Sequence, residues 1–386
     1  MLGKRVGVIG GGQLAWMMAG AAQKLGIDLI VQTPKQDDPA VALSDEVILA
    51  AINDANATAK LAQICDVITF ENEFINLEAL KKIAAQGTCF RPHLEALEPL
   101  LDKYKQRCYL QKIGLAVPKF KLLNERSNIE FEFNFPVVIK ARRHGYDGRG
   151  TFILKNQTEL DKFWEQKSSE SMLVEEFIPF AKELAVIAAR GVGGEVVVYP
   201  VVETQQEEQV CHRVIVPAKV TPEVTAEVEK IATHLLNKLE VVGVFGIELF
   251  LSKESKVLVN EIAPRTHNSG HYTLDACEIS QFEMHLRAVA GLPLPSPKLN
   301  CSGAVMVNLL GYEHSEEDYS EKRQKLAQIP QTKVHWYGKT ESRPGRKMGH
   351  VTILVGDRGL SEEQALANNI EFIWYGRSPL PQSRQN

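Results

Sequence analysis

The chain has 386 residues, 44% of them apolar and 24% charged, and a formal net charge of −4. That balance suits a soluble globular enzyme long enough for two or three domains with sizeable cores. It argues against general binding to nucleic acid or to an anionic membrane surface, and no apolar run approaches the ~20 residues that span a bilayer. The six cysteines, at 65, 89, 108, 211, 277 and 301, include no C-x-x-C pair. They suit reduced thiols in the cytoplasm rather than a disulfide framework or a zinc site. Met1–Arg5 leads straight into a strand, without the apolar stretch of a signal peptide.

Lys4–Ile9 reads as a short strand, followed by Gly10-Gly11-Gly12-Gln13 and a helix over Leu14–Leu25. Gly10, Gly12 and Ala15 fit the G-x-G-x-x-G/A pattern of a tight turn at a helix start. A nicotinamide enzyme carries an acid at the end of the next strand to hold the ribose. Here Asp28–Val31 runs instead into Gln32-Thr33-Pro34, so the pattern supports a βαβ start but not a dinucleotide. Strands at Glu46–Leu49 and Asp66–Phe70 continue an alternating parallel sheet. Glu71 and Glu73 follow the last of these, at the strand end where open α/β sheets bind ligands.

Leu100–Ile113 reads as an amphipathic helix bearing Lys103, Lys105 and Arg107, closed by Gly114 and Pro118 at a domain boundary. Beyond it, Phe135–Lys140 is a strand ending in lysine, followed by A-R-R-H-G-Y-D-G-R-G-T over Ala141–Thr151. Its glycines and cations suit a loop that turns backbone N–H groups toward phosphate oxygens, though it is no Walker A loop. Met172–Phe177 is a further strand with two acids at its end. Leu184–Ala189 and Val196–Val202 read as hairpin partners across Gly191–Gly194, and Thr225–Leu239 as an amphipathic helix.

Val244–Leu251 and Lys256–Ile262 read as a hairpin around Ser252–Ser255, which sets Glu248 nearly opposite Asn260 and close to Glu261. Paired oxygen ligands of this kind suit Mg²⁺. Strict alternation sends Asn260 and Glu261 to opposite faces, so the strand must twist or bulge for both to meet one site. The stretch Asn260–His271, N-E-I-A-P-R-T-H-N-S-G-H, then packs an acid, amides, a guanidinium and two imidazoles into twelve residues. Buried charges are costly unless paired or bound, so this mixture points to chemistry. Ser280–Glu283 is a capping box that opens a helix ending at Gly291. Strands follow at Ala304–Leu309, Lys333–Trp336 and His350–Val355. The basic turn Arg343–Lys347 is suited to a substrate phosphate.

The order of these parts resembles the ATP-grasp ligases, and among them the N5-carboxyaminoimidazole ribonucleotide synthetases. The resemblance runs from Gly7 to about Val355. It rests on G-G-G-Q-L (Gly10–Leu14), G-Y-D-G-R-G (Gly145–Gly150), the Asn260–His271 stretch, I-S-Q-F-E (Ile279–Glu283) and R-P-G-R-K-M-G-H (Arg343–His350). It implies a mixed α/β and α+β architecture in three parts. These are a Rossmann-like preATP-grasp domain over 1–100, a small central lid lobe with the flap over 101–178, and a C-terminal α+β lobe over 179–386.

The resemblance also implies a reaction: ATP-dependent carboxylation of 5-aminoimidazole ribonucleotide by bicarbonate through carboxyphosphate. Lys103, Lys140 and the flap residues Gly145, Tyr146, Asp147, Gly148, Arg149, Gly150 and Thr151 would hold the ATP phosphates. Glu175, Glu176, Phe177, Ile178 and Glu183 would meet adenine and ribose. Glu248 and Glu261, with Asn260 beside them, would carry Mg²⁺. Tyr146, Asp147, Arg149, Arg265, His267, Asn268, Ser269, Arg343 and Lys347 would line the ribonucleotide and bicarbonate site, with Glu73 approaching from the first domain. A cytoplasmic homodimer handing its product to N5-carboxyaminoimidazole ribonucleotide mutase completes the expectation. Sister ligases acting on glycinamide ribonucleotide or biotin share the ATP residues and differ around Arg265–His271 and Arg343–Lys347.

Overall fold

Short β-rich runs separated by amphipathic stretches assemble into three sheets. The computed structural model describes residues 4–123, 133–143, 145, 150–166, 171–355 and 360–376. The first sheet holds β1 (Arg5–Ile9), β2 (Asp28–Thr33), β3 (Glu46–Leu49) and β4 (Val67–Phe70), all parallel in the order β3-β2-β1-β4. Helices α1 (Gln13–Leu25), α2 (Ala55–Ile64), α3 (Leu77–Ala84) and α4 (Leu94–Leu97) accompany it. Gly26 ends α1 in the left-handed region, at φ 64°, where glycine carries no Cβ penalty.

Helix α5 (Lys103–Lys112) starts three residues later than its amphipathic pattern, because the Asp102 carboxylate caps it by accepting from the N–H groups of Tyr104 and Lys105. The second sheet is antiparallel: β5 (Phe120–Leu123), β6 (Val137–Ala141), β7 (Thr151–Leu154) and β8 (Met172–Glu176), in the order β5-β8-β6-β7, with α6 (Gln157–Gln166) alongside.

The third sheet is the largest. It contains β9 (Phe180–Arg190), β10 (Val196–Val198), β11 (Val202–Glu207), β12 (Val210–Val216), β13 (Gly243–Ser252), β14 (Val257–Ala263), β15 (Gly303–Leu310), β16 (Thr332–Trp336) and β17 (Lys347–Val355). Their order is β14-β13-β9-β11-β12-β15-β17-β16, with β10 paired to β9. The expected partner of β9 is thus split in two, β10 and β11, interrupted around Pro200. Lys347 belongs to β17 rather than to the basic turn that precedes it. Helices α7 (Pro222–Leu239), α8 (Thr273–Ala276), α9 (Gln281–Ala290), α10 (Ser320–Ala327) and α11 (Leu360–Tyr375) complete the fold. No helix among the described residues is long and apolar enough to cross a membrane.

The first sheet is fastened to the third through α9. Phe282, Leu286 and Val289 join the same apolar cluster as Val6, Val8, Met18 and Val31. His285 adds a directional tie. The Val244 N–H donates to its Nδ1 at 3.1 Å, so Nε2 carries the proton and donates to Thr69 Oγ1 at 2.8 Å. Burial pushes this imidazole down from its ordinary 6.5 to about 4.

The unfolded chain therefore binds a proton that the folded chain refuses between those two values. The tie is complete above about pH 6.5 and is lost as the pH falls to about 4. Urea unfolding of wild type and His285→Gln from about pH 7.5 to about 4.5 should show the stability gap narrowing by ~1.4 kcal/mol per pH unit below 6.5. A gap that stays constant would mean that His285 is not held neutral.

Candidate active site

The hairpin of β13 and β14 settles the geometry that alternation leaves open. Glu248 pairs with Glu261 and Leu249 with Val259, so Asn260 is the extra residue of a β-bulge. The bulge turns Asn260 and Glu261 toward one cleft. Lys140, at the end of β6, donates to Asn260 Oδ1 at 3.0 Å and lies 2.7 Å from Glu175 Oε2. The other Glu175 oxygen takes the Arg107 guanidinium from α5. Glu175 is only 2% exposed. Burial alone would raise its carboxyl, but Arg107 and Lys140 hold it at about 2.

Both Glu175 oxygens are engaged, so this acid holds Lys140 in place. Glu176 is likewise tied, accepting from the Lys119 N–H at 2.7 Å. Phe177 and Ile178 are half-buried in the link between β8 and β9.

Glu248 and Glu261 are partly exposed at the cleft floor, with side chains 28% and 39% accessible. Lys103, in the first turn of α5, reaches Glu261 Oε2 at 2.5 Å. Burial raises the Glu261 carboxyl, yet Lys103 and Lys140 hold it below the ordinary range. Glu248 is pushed the other way, to about 7, by desolvation and the Glu261 charge; Lys103, Lys347 and Lys140 oppose this only in part. Glu183 on β9 sits diagonally from Glu248 on the same sheet face. Burial and the Glu248 charge push it up to about 8.

Arg265 lies 3.0 Å from Glu73, which follows β4, so this ion pair joins the first domain to the third sheet. His267 faces Glu248, with Nε2 3.5 Å from Oε1. Its backbone is clamped by Gln281, whose Oε1 accepts from the His267 N–H at 2.9 Å and whose Nε2 donates to its carbonyl at 2.7 Å. Asn268 and Ser269, expected to meet substrate, face inward. Asn268 exchanges two bonds with Asn308, at 3.0 and 2.8 Å, and Ser269 Oγ lies 2.9 Å from His267 Nδ1. Lys347 acts electrostatically on Glu248 and is half-buried, whereas Arg343 is exposed.

At the flap, Gly150 takes φ 81° and its carbonyl accepts from the Ala141 N–H at 2.7 Å, next to the Lys140–Thr151 pair. Gly145 is half-buried beside it. Tyr146, Asp147, Gly148 and Arg149 lie outside the described residues.

Glu71, read from sequence only as one of two acids at the end of a ligand-binding strand, has a specific partner that the sequence did not show. A Cβ on Gly12 would lie 2.4 Å from Glu71 Oε1, and one on Gly10 2.5 Å from Oε2. The glycines thus admit the chain's own carboxylate to the start of α1, where Oε1 also accepts from the Leu14 N–H at 3.3 Å. A helix N-terminus of this kind is where a dinucleotide phosphate would sit. Gln32 is consumed locally, accepting from Thr58 Oγ1 at 2.8 Å and donating to the Ala51 carbonyl at 2.7 Å. Both features speak against a nicotinamide enzyme.

Asp275, His335 and His350 each offer a ligand atom, all within 4.8 Å of one another. The two imidazoles are stacked, with centroids 4.5 Å apart and planes 15° from parallel. Their in-plane lone pairs therefore cannot meet at one ion, and Asp275 already pairs with His335 Nε2 at 2.8 Å. The cluster is a hydrogen-bonded seam and not a metal centre.

Comparisons with known proteins agree with this architecture. Residues 3–99 match a ribonucleotide synthetase preATP-grasp domain, 108–282 an ATP-grasp domain, and 304–364 a phosphoribosylaminoimidazole carboxylase C-terminal domain. These matches define the chain as an ATP-grasp ligase in class. The N5-carboxyaminoimidazole ribonucleotide synthase of Synechococcus elongatus is 51% identical over 96% of this chain and 95% of its own length. The crystal structure of the synthetase from Thermotoga maritima is 40% identical, with a TM-score of 0.86 over 96% of this chain and 98% of that one. The synthase from Aspergillus clavatus, in complex with ADP and 5-aminoimidazole ribonucleotide, is 29% identical, with a TM-score of 0.89 over 97% of this chain and 100% of that one. The chain belongs to the N5-carboxyaminoimidazole ribonucleotide synthase family.

Glu175 gives a direct check of the buried network. Glu175→Gln leaves Arg107 and Lys140 facing a neutral amide, and breaking a buried ionic group in this way costs about 3–5 kcal/mol. Urea unfolding at neutral pH should register a loss of that order. A loss below about 1 kcal/mol would mean that water reaches the cations.

Proposed function

We infer that this chain joins bicarbonate to 5-aminoimidazole ribonucleotide at the expense of ATP. The products are N5-carboxyaminoimidazole ribonucleotide, ADP and phosphate. The observation that carries the reading is the single cleft where Lys103 and Lys140 face the bulged Asn260, Glu248 and Glu261. Arg265, His267 and Lys347 stand beside it.

Bicarbonate is a poor electrophile. Its oxygen attacks the γ-phosphorus of ATP, the bond to the β-phosphate oxygen breaks, and ADP leaves with that electron pair. The amine of the ribonucleotide then attacks the carboxyphosphate, expelling phosphate, or attacks the CO₂ left once phosphate has departed, and it loses a proton as the carboxylated product forms. Most of the protein's task is neutralising and aligning charge. Lys140, held by Glu175, and Lys103 would supply the cations that the phosphate oxygens need. Glu183 would meet ribose hydroxyls. Arg265 and Lys347, with Arg149 of the flap, supply cations for the 5′-phosphate and for bicarbonate, and His267 lies between them and the acids.

The donor set of Glu248, Glu261 and Asn260 is all oxygen, which fits Mg²⁺. Bound there, Mg²⁺ would offset negative charge on the transferred phosphoryl group. The same reading divides the chain at about residues 100 and 178. It also includes a cytoplasmic homodimer that passes its product to a mutase.

ADP release, measured with ribonucleotide and bicarbonate supplied separately and together, tests the reaction. Strong stimulation only by the two together is expected. Equal stimulation by formate with glycinamide ribonucleotide would move the assignment to a sister ligase.

Glu261→Gln removes one carboxylate charge with little change of shape. The Mg²⁺ concentration for half-maximal ADP release should rise about tenfold or more, equivalent to at least ~1.4 kcal/mol. An unchanged Mg²⁺ requirement would remove Glu261 from the metal site.

A further inference from the structure

We propose that three side chains in one row of the third sheet, Asn308, His350 and His335, are positioning residues for the ribonucleotide. They would act by fixing the inner face of the loop that carries Arg265 and His267. The inference rests on the proposed role of those two residues.

Asn308 on β15 pairs with His350 on β17, and His350 pairs in turn with His335 on β16. Directly opposed residues point to the same face, so the three side chains form a line across the strands. Opposite them runs a 3-10 turn over Asn268–Gly270 that leads into α8. Asn268, His271 and Asp275, spaced by three and four residues, share one face of this helical stretch.

The two rows meet residue by residue. Asn268 and Asn308 exchange both amide bonds, at 3.0 and 2.8 Å. The His271 and His350 rings lie 5.3 Å apart. His335 Nε2 meets Asp275 Oδ2 at 2.8 Å. Outer partners hold the row in turn: the Tyr337 hydroxyl lies 2.7 Å from His350 Nδ1, and Asn308 also donates to the Cys211 carbonyl at 2.8 Å.

Asn308 is the one polar residue of β15, a strand buried along its whole length. A buried amide is costly unless its bonds are made, and a hydrocarbon would fill the space as well. What the hydrocarbon lacks is direction. Apolar packing tolerates small slides, whereas the reciprocal amide pair and the Asp275–His335 bond lose their geometry within a few tenths of an ångström. Asn268 directly follows His267 and stands three residues beyond Arg265, so the register of this seam sets where both point. A displacement of about 1 Å at a reacting centre can cost about a hundredfold in rate.

The test compares Asn308→Leu, His335→Leu and His335→Gln with wild type in steady-state ADP release, varying each substrate alone. Asn308→Leu and His335→Leu should raise KM for the ribonucleotide about tenfold, while KM for ATP stays within about twofold. His335→Gln keeps an N–H toward Asp275 and should recover most of the loss. KM values that move together, or a lower melting temperature with both KM values unchanged, would reduce the row to scaffolding and overturn the proposal. If the leucine variants do not fold, Asn308→Asp and His335→Gln decide it. Asn308→Asp keeps the acceptor for Asn268 and loses the donor, so its ribonucleotide KM should rise and that of His335→Gln should not. Wild-type protein whose ADP release ignores the ribonucleotide would instead sink the functional reading, and this inference with it.

Discussion

Glu248 and Glu261 can face one another only if β14 carries one residue more than the strand it pairs with. That is the constraint on which the site depends. In a regular ladder Asn260 would point into the cleft and Glu261 away from it. With the bulge at Asn260, Glu261 pairs directly with Glu248, and Asn260 still reaches Lys140. Lys140 then brings Glu175 and Arg107 with it. The second sheet and α5 are thereby registered against the third by polar contacts that converge on a single irregular position.

The cleft lies where the three sheets meet, and its ionic contacts cross between them. Glu73 of the first domain meets Arg265 beyond β14, and Lys103 of α5 meets Glu261. Buried ion pairs add little net stability, because desolvation offsets their attraction, and apolar residues would join the sheets as well. The stabilising work at the joints falls to apolar clusters, such as the one Phe282, Leu286 and Val289 share with the first sheet. Charges retained at such a junction are better understood as ligand chemistry. Their placement across three sheets makes the site sensitive to how those sheets sit together.

Much of this was legible in the sequence because period and punctuation carried it. The parallel βαβ start, the β13–β14 hairpin and the need for a bulge all followed from alternation and turn residues. So did the capping box at Ser280, whose Oγ accepts from the Glu283 N–H at 3.1 Å. What stayed hidden were partners distant in the chain. Nothing near Glu71 shows that it fills the turn at Gly10–Gly12, and nothing near Arg107 shows that it pairs with Glu175. Asn308 sits in an apolar run that gives no sign of Asn268, forty residues earlier. Asn268 and Ser269 show the converse: each reads as a ligand contact from sequence, and the structure adds a protein partner the sequence did not show, Asn308 for Asn268 and His267 for Ser269. Only the Gly10–Gly12 signal was open to a fuller reading. A glycine turn without a ribose-binding acid raises the question of what else needs the room.

The charge balance of the cleft gives the proposed reading its physical sense. Its cations are already matched: Lys140 and Arg107 with Glu175, Lys103 with Glu261, Arg265 with Glu73. Glu248 has His267 at 3.5 Å and Lys347 acting on it, yet burial and neighbouring acid charge still push it to about 7 and Glu183 to about 8. The cleft therefore lacks positive charge at its floor while its walls are lined with lysine and arginine. A polyphosphate alone would draw the wall cations from their carboxylates and leave more acid uncompensated. On the proposed reading, a polyphosphate carrying a divalent cation would meet both demands, with lysines for its oxygens and carboxylates for its metal. A nucleotide carrying its divalent cation would, on that reading, suit this charge balance better than the bare nucleotide.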